Sequence, residues 1–117
     1  MRRREEFRRC YSQGRRRHGA LVTLHYVDSP APHPRFGVTT PRKVGGAATR
    51  NKLRRRIRET VRRWPARRSL RRLDIVVHVK PAAATATYAQ LREELERLLA
   101  SLLTSPAAAR PPRSSSS

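Results

Sequence analysis

The groups that could do chemistry in this chain are unevenly supplied. Its 117 residues hold 28 Lys and Arg against 8 Asp and Glu, with four His and one Cys. The carboxylates Glu5, Glu6, Asp28, Glu59, Asp74, Glu93, Glu94 and Glu96 are scattered. No pair of them precedes a histidine, as general acid–base or two-metal nuclease chemistry would require. His18, His25, His33 and His78 lack ligand spacing, and Cys10 alone can form neither an intrachain disulfide nor a thiolate metal site. A self-sufficient enzyme is therefore not expected. Glu93, Glu94 and Glu96 read as surface partners of Arg92 and Arg97 on a helix.

What the chain has in quantity is guanidinium. The formal net charge is +20 and the pI about 12.0. Like charges at this density oppose compaction, so a polyanionic partner is expected. Arginine supplies 25 of the 28 cations. Guanidinium binds phosphate bidentately and stacks on bases, which leans towards nucleic acid, although a G+C-rich coding sequence produces the same bias. Fourteen cations lie in residues 42–72 against the single acid Glu59, and eight lie in residues 1–17. Within the first group Asn51, Arg55, Arg58 and Arg62 recur at helical spacing, opposite the apolar stripe Leu53, Ile57, Val61 and Trp64. A solvated charged face normally mixes signs; this stretch has a single Glu. A membrane-surface helix would need the narrow apolar stripe that the core also needs. Phosphate recognition is the remaining reading, with Asn51 as a donor–acceptor among the arginines. Near the N-terminus Phe7 and Tyr11 sit one turn apart among Arg8, Arg9, Arg15, Arg16 and Arg17. Aromatics interleaved with arginine bind single strands by stacking; the same two rings could equally be ordinary core contacts of a helix.

These residues need elements to position them. Residues 4–13 predict a short helix closed by Gly14, with Phe7, Cys10 and Tyr11 on one face. Residues 20–27 alternate, with Val22, Leu24 and Tyr26 on one side and Thr23 and His25 on the other, which predicts a strand. The prolines of DSPAPHP mark a loop, and residues 35–40 predict a second strand. The basic helix starts after Gly45-Gly46 and stops at Pro65. Residues 74–79 are nearly continuously apolar, as for a central strand covered on both sides. Thr87 and Gln90 have the spacing of a capping box, followed by Tyr88, Leu91, Leu95, Leu98, Leu99 and Leu102 at helical intervals. The order is α-β-β-α-β-α, with room for a further strand near 38–44. One small domain over residues 1–105 is expected, followed by a disordered Pro/Ser-rich tail over 106–117. No apolar run approaches a membrane span, and no apolar stretch follows the N-terminal arginines as in a secretory signal.

The stretch Arg42-Lys-Val-Gly-Gly-Ala-Ala-Thr-Arg-Asn-Lys-Leu-Arg-Arg-Arg-Ile-Arg-Glu59 resembles the signature of the bacterial ribonuclease P protein subunit, roughly S-K-K-V-G-x-A-V-x-R-N-x-x-K-R-x-x-R-E. Arg50, Asn51, Arg54, Arg55, Arg58 and Glu59 stand at its signature positions, and Lys43, Val44, Gly45 and Ala47 match the lead-in. Phe7, Tyr11 and Gly14 are similar to the family's F-x-x-x-[FY]-x-x-G, and Asp74-Ile-Val-Val before Pro81 to its D-I-V-x-x-x-R-P. The resemblance covers about residues 4–103. Arginine replaces lysine at 42 and 54, Gly46 takes a place that is often polar, and Pro41 removes a backbone donor. The chain begins close to Phe7, so the family's basic N-terminal extension is expected to be short.

The resemblance implies an α+β domain, α-β-β-β-α-β-α with a left-handed βαβ crossover (ribosomal protein S5 domain 2-like). It implies a cytoplasmic subunit that is not itself the catalyst. The partners would be a catalytic RNA and precursor tRNA, with no membrane and no obligate protein partner, and Mg²⁺ would be bound mainly by the RNA. Lys43, Arg50, Asn51, Arg54, Arg55, Arg58 and Arg62 would contact the catalytic RNA. A cleft between the first helix and the sheet, with Phe7, Tyr11, Arg15, Arg16 and, in place of the family's aromatic, His25, would hold the 5′ leader. The alternative is a structural RNA-binding protein of the ribosomal type, which shares the charge and size but not the Arg-Asn spacing.

Overall fold

The computed structural model describes residues 4–28, 34–66 and 73–103. The expected tail over 106–117, most of the proline loop, and Arg67, Arg68, Arg71 and Arg72 lie outside these. The elements are α1 (Arg4–Gln13), β1 (Arg15–His18), β2 (Val22–Asp28), β3 (Arg35–Thr39), α2 (Ala47–Arg63), β4 (Leu73–Val79) and α3 (Tyr88–Leu103), with 3₁₀ turns at Arg42–Val44 and Pro81–Thr85. This is the expected small α+β domain with four strands.

The strand order is β1-β2-β4-β3. β2 runs antiparallel to β1 and β4, while β3 runs parallel to β4, so α2 serves as the crossover between two parallel neighbours. β4, the near-continuous apolar run, is an interior strand. Because side chains alternate, each strand feeds two layers. Val22, Leu24 and Tyr26 register with Val79, Val77 and Ile75, and Phe36 and Val38 continue the row on β3. This face packs against Leu53, Ile57, Val61 and Trp64 of the basic helix and its end, and against Leu91, Leu95, Leu98, Leu99 and Leu102 of α3. The other face carries Thr23, His25 and Val27 on β2 and Asp74, Val76 and His78 on β4. α1 crosses that second face.

Two glycines set how closely α1 approaches. A Cβ on Gly14 would strike the carbonyls of Cys10 and Tyr26, so the turn from α1 into β1 admits no side chain. A Cβ on Gly37 would stand 2.6 Å from the Phe7 ring, which rests on the β3 backbone there. The capping box of α3 forms as expected. The Thr87 amide donates to Gln90 Oε1 at 2.9 Å, and the Gln90 amide donates to Thr87 Oγ1 at 3.1 Å.

Three expectations are corrected. The additional strand is not near 38–44, where Arg42–Val44 is a single 3₁₀ turn; it is β1, Arg-Arg-Arg-His. A strand with no apolar residue is possible at this edge because β2 supplies the ladder. The Arg17 guanidinium also lies 5.8 Å from the Tyr26 ring centre, so its stem covers apolar surface. Glu94 is not merely a surface partner of Arg97, which stands 4.0 Å from it. Its buried carboxylate accepts the amides of Ala20, Leu21 and Val22 at 3.0, 2.7 and 2.9 Å and so holds the β1–β2 turn. Tyr88 does not join the buried stripe. It opens the first turn of α3, ahead of the packed leucines, and is 39% exposed.

Candidate nucleic-acid interface

The outer face of α2 carries its cations in three different states. Arg55 and Arg58 are exposed, and among the described residues neither guanidinium has a carboxylate partner. Arg54 is fixed. Its Nη1 donates to Thr40 Oγ1 at 2.7 Å and its Nη2 to Asn51 Oδ1 at 2.6 Å, tying α2 to the end of β3 and orienting the asparagine. Arg50 Nε donates to the Gly45 carbonyl at 3.1 Å, folding back on the lead-in loop. Arg62 Nη2 donates to both oxygens of Glu59, at 2.9 and 3.0 Å, and Arg63 Nε stands 2.8 Å from the same carboxylate. The Arg62 hydrogen bond is the main reason the Glu59 carboxyl is held below the usual range.

The second surface is the sheet face under α1. Tyr11, exposed by 39%, sets its ring 4.3 Å from that of His25, and its hydroxyl lies 3.1 Å from His78 Nδ1. His25 and His78 stand edge to face at 6.1 Å. Arg16 pairs in register with His25, so it is on this face; Arg15 pairs with Tyr26 and alternates to the other. Phe7 is half-buried on Gly37. Lys43 is exposed and close enough to act electrostatically on His78. Thr39 pairs in register with His78, and the adjacent Thr40 accepts from Arg54, so the end of β3 links the sheet face under α1 to α2.

The cleft floor is kept uncharged. Burial, then His78, Arg16 and His18, push the His25 pKa down to about 4. Burial, then Lys43 and Lys80, lower that of His78. Burial raises that of Tyr11, against the Thr39 hydrogen bond. At neutral pH this is a set of neutral rings, tilted against one another and rimmed by cations, that could offer an exposed ring to a base while arginine and lysine meet the phosphates.

A pH dependence follows. An unfolded histidine titrates near 6.5, so between that value and about 4 the unfolded chain binds a proton that folded His25 refuses. Stability is undiminished above pH ~6.5 and falls as the pH drops towards ~4, by about 1–2 kcal/mol after allowance for partial exposure. Urea unfolding at pH ~7 and ~5 should show this loss, and His25→Phe should reduce it. Equal losses in both proteins would exclude His25 as the source.

His78, Thr40 and Asp74 were not singled out as site residues by the sequence. The signal for His78 was present: a polar ring inside DIVVHV, on the same strand parity as Asp74. Asp74 is fully buried and accepts Arg35 Nε and Nη2 at 2.8 Å each and Arg9 Nη2 at 3.1 Å. A divalent metal would need several convergent oxygen or nitrogen ligands. Among the described residues no three His, Cys, Asp or Glu converge, and the buried carboxylates of Asp74 and Glu94 are already occupied by arginines and amides. These residues do not fit a protein-held Mg²⁺. No helix of the described residues is long and apolar enough to cross a membrane.

A model of the Ribonuclease P family matches residues 1–103. The chain is 38% identical over 108 residues to the ribonuclease P protein component of Acidothermus cellulolyticus, covering 87% of this chain and 86% of that one. It is 38% identical over 93 residues to the Thermus oshimai protein of the same name, covering 80% of this chain but only 57% of that longer one. The fold is similar to the RNase P protein of Staphylococcus aureus, with a TM-score of 0.80 at 25% identity, over 89% of this chain and 96% of the other.

Proposed function

This chain belongs to the ribonuclease P protein family, and on that premise we propose that it is the RNA-binding subunit that lets a catalytic RNA remove the 5′ leader from precursor tRNA in the cytoplasm. The exposed arginines of α2, with Arg50, Asn51, Arg54 and Lys43, hold the catalytic RNA. The Tyr11–His25–His78 floor takes the single-stranded leader, with Arg16 at its rim. The carrying observation is a neutral ring cluster on the α1 face of the sheet together with exposed Arg55 and Arg58 on α2, which have no carboxylate partner among the described residues. Stacking without base-edge contacts tolerates any leader sequence, and the cations supply the phosphate attraction. No step of the cleavage is assigned to a protein side chain, and in this reading Mg²⁺ belongs to the RNA.

Reconstitution tests it. The purified chain should leave precursor tRNA intact, and adding the catalytic RNA at low Mg²⁺ should restore 5′ cleavage; cleavage by the protein alone would overturn the reading. In the same assay Tyr11→Ala should narrow the preference for precursor over mature tRNA by roughly 1–3 kcal/mol. Phe7→Ala, which empties the contact on Gly37, should act first on the melting temperature.

A further inference from the structure

α2 carries a second cationic flank that the proposed function leaves unused. At about 100° per residue, Arg54, Arg58, Asn51, Arg62 and Arg55 lie to one side of the buried stripe. Lys52, Arg56 and Arg63 lie to the other side, turned towards α3. The Arg56 guanidinium stands 5.4 Å over the ring of Tyr88, the first residue of α3. That ring is 39% exposed. Among the described residues Arg56 and Lys52 have no carboxylate partner, whereas Arg63 is held by Glu59.

We propose that this seam between α2 and α3 is a second contact surface for the catalytic RNA: Tyr88 stacks an unpaired base, and Arg56 and Lys52 bind the phosphates beside it. The inference rests on the reading of the chain as a ribonuclease P subunit and extends it, because it places RNA on both flanks of α2. An arginine laid on an aromatic face keeps its edge N–H groups free, so one side chain fixes the ring and still offers donors to phosphate. An exposed tyrosine at a helix start contributes little to the core, but a pre-fixed ring is a stacking platform whose ordering cost is already met within the fold. The acids of α3 begin only at Glu93, so its first turn is free of opposing charge. An RNA strand, with a base for the ring and phosphates for the cations, fits this combination better than an acidic peptide, which would leave the ring without a partner of its kind.

Binding of the full chain to the catalytic RNA should be measured across salt concentrations. Tyr88→Ala is expected to weaken binding roughly fivefold or more with an unchanged salt slope, Tyr88→Phe to bind like the parent, and Arg56→Ala to reduce the slope by about 0.7–0.9. The melting temperature of Tyr88→Ala should stay close to that of the parent. A hydroxyl-radical source tethered at position 56 should cut RNA segments different from those cut from position 55. If Tyr88→Ala and Arg56→Ala bind RNA unchanged while Arg55→Ala and Arg58→Ala do not, the seam is not a contact and the functional reading stands. If none of the four weakens binding, both fall. If Tyr88→Ala loses affinity only in proportion to a lower melting temperature, the ring is a packing residue and the proposal is overturned.

Discussion

Replacing Asp74 by alanine is expected to lower folding stability by about 3 kcal/mol, the lower end of what breaking a buried ion pair costs. The carboxylate is fully buried at the edge of β4 and is bound by Arg35 of β3 through both oxygens and by Arg9 of α1. Its own carbonyl accepts the Cys10 thiol at 3.4 Å. One residue thus ties the first helix to two strands. Alanine would leave two guanidiniums without that partner beside an apolar space. Their side chains keep 30–32% exposure, so water recovers part of the loss, which selects the lower end of the range. For a domain of this size the change corresponds to a fall of roughly 10–20 °C in melting temperature. Function should divide along the same line. With α1 loosened, Tyr11 loses its place over His25, so discrimination between precursor and mature tRNA should drop more than affinity for the catalytic RNA. A stability change below about 1 kcal/mol would show that solvent screens the clamp.

The double substitution Arg55→Ala, Arg58→Ala is expected to have the opposite signature. Both side chains are exposed and without carboxylate partners among the described residues, so stability should move by no more than about 0.5 kcal/mol. Binding to the catalytic RNA should weaken roughly ten- to a hundredfold. Each lost phosphate contact removes about 0.7–0.9 from the slope of log affinity against log salt, so the double variant should lose about twice that. Arg62→Ala is the informative control. Its guanidinium already serves Glu59, so its slope change should be smaller. Filter binding across salt concentrations reads both quantities, and an unchanged slope in the double variant would mean that these arginines face water.

Where periodicity governed, the chain was legible. Leu53, Ile57, Val61 and Trp64 are buried while Asn51, Arg55, Arg58 and Arg62 are exposed, because a 3.6-residue repeat leaves a helix no other way to cover this sheet. The capping box of α3 and the interior position of β4 follow from equally local signals. β1 was not legible. Arg-Arg-Arg-His has no alternation, and its strand exists because β2 offers an open ladder and Glu94, some seventy residues away, holds the turn between them. The two structural carboxylates escaped for a related reason: nothing near Asp74 or Glu94 in sequence marks the arginines or amides that occupy them.

The amino-acid sequence by itself determined the size and sign of the charge, that a helix beginning after Gly46 displays arginine and asparagine on the face opposite its apolar stripe, and which family that spacing belongs to. These are matters of composition and of contacts within a few turns. Only the tertiary structure decided which cations are available and which are already paired, that the rings of Tyr11, His25 and His78 converge, and that Tyr88 emerges beneath Arg56. The reason is physical. The +20 charge is a sum over the chain, but a candidate site is a juxtaposition, and here it is made by the β2–β4 register and by helices laid on opposite faces of one sheet.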